Sequence, residues 1–106
     1  MDFYDVIQTR RSIRSFKKDP VPKKVLYRVL EAVHIAPSGS NRQPWKFILV
    51  KDENLKEKMV SACQNQHFIA DAPLIVVAYR QRLPMNRGSY MGDKSTLLDV
   101  AIAFTH

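Results

Sequence analysis

The segment from about Asp93 to the end sets the strongest constraint on what this chain can fold into. Leu97, Leu98, Val100, Ala101, Ile102, Ala103 and Phe104 circle almost the whole of a helix. A helix that is apolar on every side belongs in an interior or in an extensive interface. The sequence then stops at His106 with no glycine, cap or breaker. We therefore expect a truncated chain, the N-terminal portion of a longer fold. A length of 106 residues allows one domain at most. A chain so short buries a modest share of its surface and gains stability when a partner adds to it.

Upstream, the patterning alternates between helices and strands. Asp2 can cap a first short helix in which Phe3, Val6 and Ile7 share a face, fading near Thr9. Residues 10–16 are basic and mixed, and Asp19-Pro20-Val21-Pro22 is an extended breaker. Pro22 suits the first position of a second helix, with Val25, Leu26, Val29, Leu30 and Val33 as its apolar stripe. Pro37 stops it, and Ser38-Gly39-Ser40-Asn41 is loop chemistry. Residues 45–50 read as a strand, and a third helix runs from about Asn54 to Cys63 with Leu55, Met59 and Ala62 inward. A short helical turn is expected within 64–72. Leu74–Tyr79 forms a nearly continuous apolar strand, expected to be covered on both faces. Residues 80–92 read as a long loop. Within it, Asn86–Met91 forms either part of a substrate lid or a mobile connection.

Two segments carry candidate chemistry. In Arg10-Arg11-Ser12-Ile13-Arg14, three guanidiniums within five residues repel one another unless solvent or an anion compensates. Guanidinium forks match phosphate oxygens, and a serine hydroxyl adds a neutral donor. If Ile13 packs inward, Ser12 and Arg14 face the opposite side. The same residues alone also fit a solvated basic face at a helix end. The second segment is Pro37-Ser38-Gly39-Ser40-Asn41-Arg42-Gln43-Pro44-Trp45. Gly39 allows close backbone approach to a ligand. Ser38, Ser40, Asn41 and Gln43 could read the edge of a heterocycle, or form a polar turn anchored by Trp45.

Taken in order, the motifs resemble the FMN-dependent nitroreductase-like flavoproteins, a family that includes nitroreductases, flavin reductases, iodotyrosine deiodinase relatives and a flavin-fragmenting branch. The resemblance runs along the whole chain: the opening helix before Arg-Arg-Ser-x-Arg, the Val-Pro segment, Ala36 to Phe47, Ala72 to Val77, and the helix containing Asp99. It implies an α+β, three-layer fold with a mixed, largely antiparallel central sheet flanked by helices. Residues 1–106 would be the N-terminal portion of a single FMN-binding domain. It implies that Arg10, Arg11 and Ser12 hold the FMN phosphate and ribityl oxygens, and that Arg14 stands near the pyrimidine edge of the isoalloxazine. It implies that Pro37, Ser38, Gly39 and Ser40 line the same flavin from the other subunit of a homodimer. Asn41 and Gln43 either contact the flavin or brace the loop. The chemistry would belong to the flavin, with NAD(P)H as transient reductant and a small acceptor such as a nitroaromatic or quinone; no residue is assigned as catalytic. The family's later half, which supplies further strands and another phosphate-binding residue, is absent from this sequence.

Other features narrow the alternatives. The formal net charge of +7 favours an anionic partner, so a basic nucleic-acid-binding module competes with the flavin reading. Against it, there is no helix-turn-helix pattern or zinc spacing, and aromatics do not interleave with the basic residues. A third reading is a flavin-deficient, non-functional fragment of the same family. The expectation is no nucleic acid and no membrane partner. No apolar run approaches the ~20 residues of a membrane helix, no secretory signal opens the chain, and a cytoplasmic location is expected. Cys63 stands alone and reads as a half-buried thiol. His34, His67 and His106 lack metal-ligand spacing, so no metal is expected. The absence of Gly-x-Gly-x-x-Gly fits a nicotinamide that visits the flavin without a Rossmann unit of its own. Asp99, set in an apolar helix, must find donors, and a structural or interface hydrogen bond is expected.

Overall fold

Two strands pair at the centre of the computed structural model, which describes residues 1–81 and 94–106. They are β1 (Trp45–Val50) and β2 (Ile75–Arg80). They run antiparallel, with Trp45 opposite Arg80 and Val50 opposite Ile75. The Gln81 amide donates to the Pro44 carbonyl at 2.7 Å and carries the ladder one step further. The described residues also form helices α1 (Phe3–Thr9), α2 (Lys23–His34), α3 (Glu53–Ala62), α4 (Phe68–Asp71) and α5 (Lys94–Thr105), and a 3-10 turn at Gly39–Asn41 joins α2 to β1. The expected loop beyond Gln81, including Asn86–Met91, lies outside the described residues.

Local chemistry explains most boundaries. Asp2 and Asp5 form a reciprocal capping box on α1, at 2.9 and 3.2 Å. Pro22 stands one position before α2, not in its first turn. Its ψ of 137° is extended, while its carbonyl accepts from Val25 and Leu26. Helix α3 starts earlier than expected because Asp52 supplies the cap, accepting from the Leu55 amide at 3.0 Å.

The inward face of α3 also differs from expectation. Leu55 and Ala62 are exposed, Met59 is half-buried, and Lys56 and Val60 are the buried residues. Lys56 can turn inward because its ammonium finds the Ala72 carbonyl and the Glu53 carboxylate, each at 2.9 Å. Its aliphatic stem then covers apolar surface.

Helix α5 packs on both strands, on α2 and on the 3-10 turn. Its buried residues are Thr96, Asp99 and Ala103, whereas Leu97 and Phe104 remain 54% and 64% exposed. Strand β2 likewise leaves Val76 and Tyr79 exposed, so the expected cover on both faces is not supplied among the described residues. The accessible surface, 8763 Å², is well above the ~6,100 Å² expected for a folded monomer of this mass. The radius of gyration, 16.1 Å, likewise exceeds the ~13 Å of a domain this long. The apolar excess is concentrated on α1, α2 and α5, where Phe3, Val25, Val29, Leu98 and Ile102 are exposed.

Candidate functional site

The basic segment begins where α1 ends. Arg10 closes α1, its amide donating to Val6 at 3.0 Å, and the chain then runs irregularly through Arg11, Ser12 and Arg14. All four residues are exposed, and none forms an ion pair or side-chain hydrogen bond among the described residues. The condition that Ile13 packs inward is not met: it is 61% exposed. The segment is held instead by Phe16, whose ring lies 6.2 Å from that of Phe68 in α4. Three cations with no carboxylate beside them leave their donors available to an external anion.

The second segment is far more constrained. It is anchored at both ends by buried residues, Ala36 after α2 and Pro44 before β1. Between them, Ser40, Asn41 and Gln43 have φ of 54°, 53° and 52°. Each left-handed non-glycine residue costs ~1–2 kcal/mol. Such strain persists only where surrounding bonds over-determine the backbone. Those bonds are present. Asn41 N–H donates to the Ser38 carbonyl at 3.0 Å, Arg42 N–H to the Gly39 carbonyl at 3.2 Å, and Gln43 N–H to Ser38 Oγ at 3.0 Å. From α5, Asp99 Oδ1 accepts from Gly39 N–H at 3.1 Å. The Arg42 guanidinium donates to the Gly39 carbonyl through Nε at 3.1 Å and to Ser95 Oγ through Nη2 at 3.2 Å.

These bonds sort the expected site residues into braces and free groups. Ser38 and Gly39 are braces. Pro37, Ser40, Asn41 and Gln43 are exposed, and the Ser40 amide and hydroxyl and the amide side chains of Asn41 and Gln43 bond to nothing among the described residues. A Cβ added to Gly39 would meet Arg42 Nη2 at 3.4 Å and the Asp99 oxygens at 3.9 Å, ordinary contacts. Nothing in its own chain therefore demands a glycine there. The Arg10–Arg14 and Pro37–Gln43 segments are not joined to each other by any hydrogen bond or ion pair among the described residues.

Asp99 makes the hydrogen bond that its place in an apolar helix called for. Its second oxygen, Oδ2, is buried without a partner. Arg42 and Ser95 were not singled out from the sequence, because their contact spans 53 positions and has no local signature. Elsewhere, His34 ends α2 and is exposed, His67 precedes α4 and is exposed, and Cys63 is half-buried and free. Among the described residues, no cluster of three or more His, Cys, Asp or Glu could hold a metal ion, and no helix is long and apolar enough to cross a membrane.

Known proteins resemble this chain in sequence and in fold. The sequence model of the nitroreductase family matches residues 7–104. The NADH dehydrogenase of Thermus thermophilus is 43% identical over 70 residues, 66% of this chain and 34% of that protein. Iodotyrosine deiodinase 1 of Rattus norvegicus is 43% identical over 58 residues, 55% of this chain and 20% of that protein. A solved nitroreductase family protein from Clostridium novyi NT superposes with a TM-score of 0.87 at 29% identity, over 100% of this chain and 61% of that one. The chain thus spans between a fifth and about three-fifths of the length of these relatives. Its fold is the nitroreductase fold, and the chain belongs to the nitroreductase family.

Proposed function

We propose that this chain is the N-terminal portion of an FMN-dependent, NAD(P)H-consuming oxidoreductase that works as a homodimer. The observation that carries the reading is the cluster of exposed guanidiniums at Arg10, Arg11 and Arg14, with no acidic partner among the described residues. Such a cluster is stable only against water or a multiply charged anion, and a phosphorylated cofactor supplies one. The strained, braced loop with the outward donors of Ser40, Asn41 and Gln43 suits the polar edge of a heterocycle.

In this reading Arg10, Arg11 and Ser12 hold the flavin phosphate and ribityl oxygens. Arg14 places a fixed positive charge by the pyrimidine edge, favouring negative charge there. The Pro37–Gln43 loop of the second copy lines the same flavin, with Pro37, Ser38 and Gly39 as surface and Ser40 as donor. FMN, when bound, supplies the redox chemistry, accepting hydride from NAD(P)H and passing electrons to a small acceptor such as a nitroaromatic, quinone or halogenated phenol. The apolar surfaces of α1, α2 and α5 offer area for the second copy and for the remainder of the fold. The test is anaerobic reduction of the FMN-loaded protein by NADH and by NADPH, followed by a panel of acceptors. Reduction by either nucleotide and reoxidation by one acceptor class is expected. Failure of both nucleotides to reduce bound FMN overturns the reading.

A further inference from the structure

We propose that Asp99, acting with Arg42 and Ser95, is a positioning residue that aims the Ser40 amide into the ligand site. The inference rests on the flavin reading above. The three side chains and the turn form a closed ring of bonds. Asp99 Oδ1 accepts from the Gly39 N–H, Arg42 Nε donates to the Gly39 carbonyl, and Arg42 Nη2 donates to Ser95 Oγ. Ser95 and Asp99 lie four residues apart, one turn of α5, and so face the same way.

This ring fixes both peptide planes that meet at Gly39. The plane before it is held through its N–H by Asp99. The plane after it is held through its carbonyl by the backbone and side chain of Arg42. In a trans peptide the N–H points opposite to the C=O. Drawing the Gly39 carbonyl toward Arg42 therefore turns the Ser40 N–H the other way, and that amide has no acceptor among the described residues. Gly39 offers a ligand no donor of its own, because Asp99 occupies it. The ring uses one residue's polar groups to direct the next residue's amide.

The state of Asp99 favours a positioning role over a contribution to stability. It is 5% exposed, and Oδ2 is buried with no partner. A half-satisfied buried carboxylate is a poor stabiliser, and an apolar residue at that position would leave no buried oxygen without a partner. What only an acceptor at this place supplies is the bond to the turn.

The test compares Asp99→Asn, which keeps an acceptor at the Oδ1 position, with Asp99→Leu, which removes it, and with Arg42→Lys, which keeps the charge and loses the fork. Two readouts are taken: FMN affinity, and hydrogen exchange of the Gly39 amide in the flavin-free protein. Asp99→Asn is expected to keep slow Gly39 exchange and an affinity within about threefold of the parent. Asp99→Leu is expected to speed exchange and weaken FMN on the order of 10-fold or more, with Arg42→Lys in between. If Asp99→Leu does not fold, Asp99→Asn and Arg42→Lys decide. Parent-like affinity in Asp99→Leu, or in Arg42→Lys, overturns the proposal and leaves the flavin reading intact. So does an Asp99→Asn protein that keeps the amide protected yet loses FMN. A parent protein that binds no FMN overturns the flavin reading and the proposal together.

Discussion

Replacing Arg14 by alanine should separate the fold from the site. In the chain Arg14 is exposed and bonds to nothing among the described residues. Surface substitutions of that kind change stability by no more than ~0.5 kcal/mol. Urea or thermal unfolding of Arg14→Ala should therefore match the parent within about 2–4 °C. Binding should behave differently. A hydrogen bond to a charged group contributes ~1.5–3 kcal/mol, or roughly 10- to 100-fold in affinity. Solvent screening around an exposed guanidinium favours the lower end of that range. The redox effect has a definite sign: removing a cation near the reduced, negatively charged flavin lowers the potential. A loss of ~1–2 kcal/mol corresponds to roughly 20–40 mV for a two-electron couple. Fluorescence titration with FMN and dye-equilibrated potentiometry measure both quantities on one preparation. Unchanged affinity and potential would remove Arg14 from the site. A large loss of stability would refute the reasoning differently, by showing that Arg14 serves the fold.

Three further substitutions probe separate features of the chain. Lys56→Met should lower the stability by ~1–3 kcal/mol in chemical denaturation, because the Ala72 carbonyl loses its ammonium donor. Glu53→Gln should change it by less than about 0.5 kcal/mol, since Glu53 is 81% exposed; equal effects would contradict this ranking. Gly39→Ala should leave the melting temperature unchanged, as its Cβ meets only ordinary contacts, while weakening FMN binding if the flavin lies against the Gly39 backbone. A loss of stability without a loss of affinity would argue that Gly39 serves the turn alone.

Much of this was legible in the sequence, for physical reasons. Short apolar runs bounded by loop residues marked β1 at Trp45–Val50 and β2 to within a residue. Asp2 announced α1, since a capping box is written in neighbouring residues. What escaped depends on tertiary partners. Periodicity assigned Leu55 to the inside of α3, yet Lys56 is buried there because the distant Ala72 carbonyl receives its charge. The apolar character of α5 called for burial on every side, whereas the described residues bury only its Thr96, Asp99 and Ala103. The strands and turn present Gly39 N–H and Arg80, so the face they cover carries Asp99 and Thr96. The ring contact of Phe16 with Phe68 joins residues 52 positions apart and has no local signature. For the site, the two motifs identified the residue types, but the division of the loop into braces and free donors required its backbone geometry. A serine and a glycine next to each other cannot reveal which of them is tied to a helix 60 positions away.

On the proposed function, the arginine segment and the serine-rich loop complete one flavin site from two copies of the chain. Mixed dimers test it most directly. One variant carries Arg10→Ala, Arg11→Ala and Arg14→Ala; the other carries Ser40→Pro, which removes the free amide and, because proline cannot adopt the φ of 54° found there, the geometry of the loop with it. Each alone should bind little FMN. After unfolding and refolding as a mixture, hybrid dimers should regain about one intact site each, or roughly a quarter of the parent's FMN content, because half of randomly paired dimers are hybrids. Mixing that restores no FMN, while the parent binds it after the same treatment, would contradict a site shared between subunits.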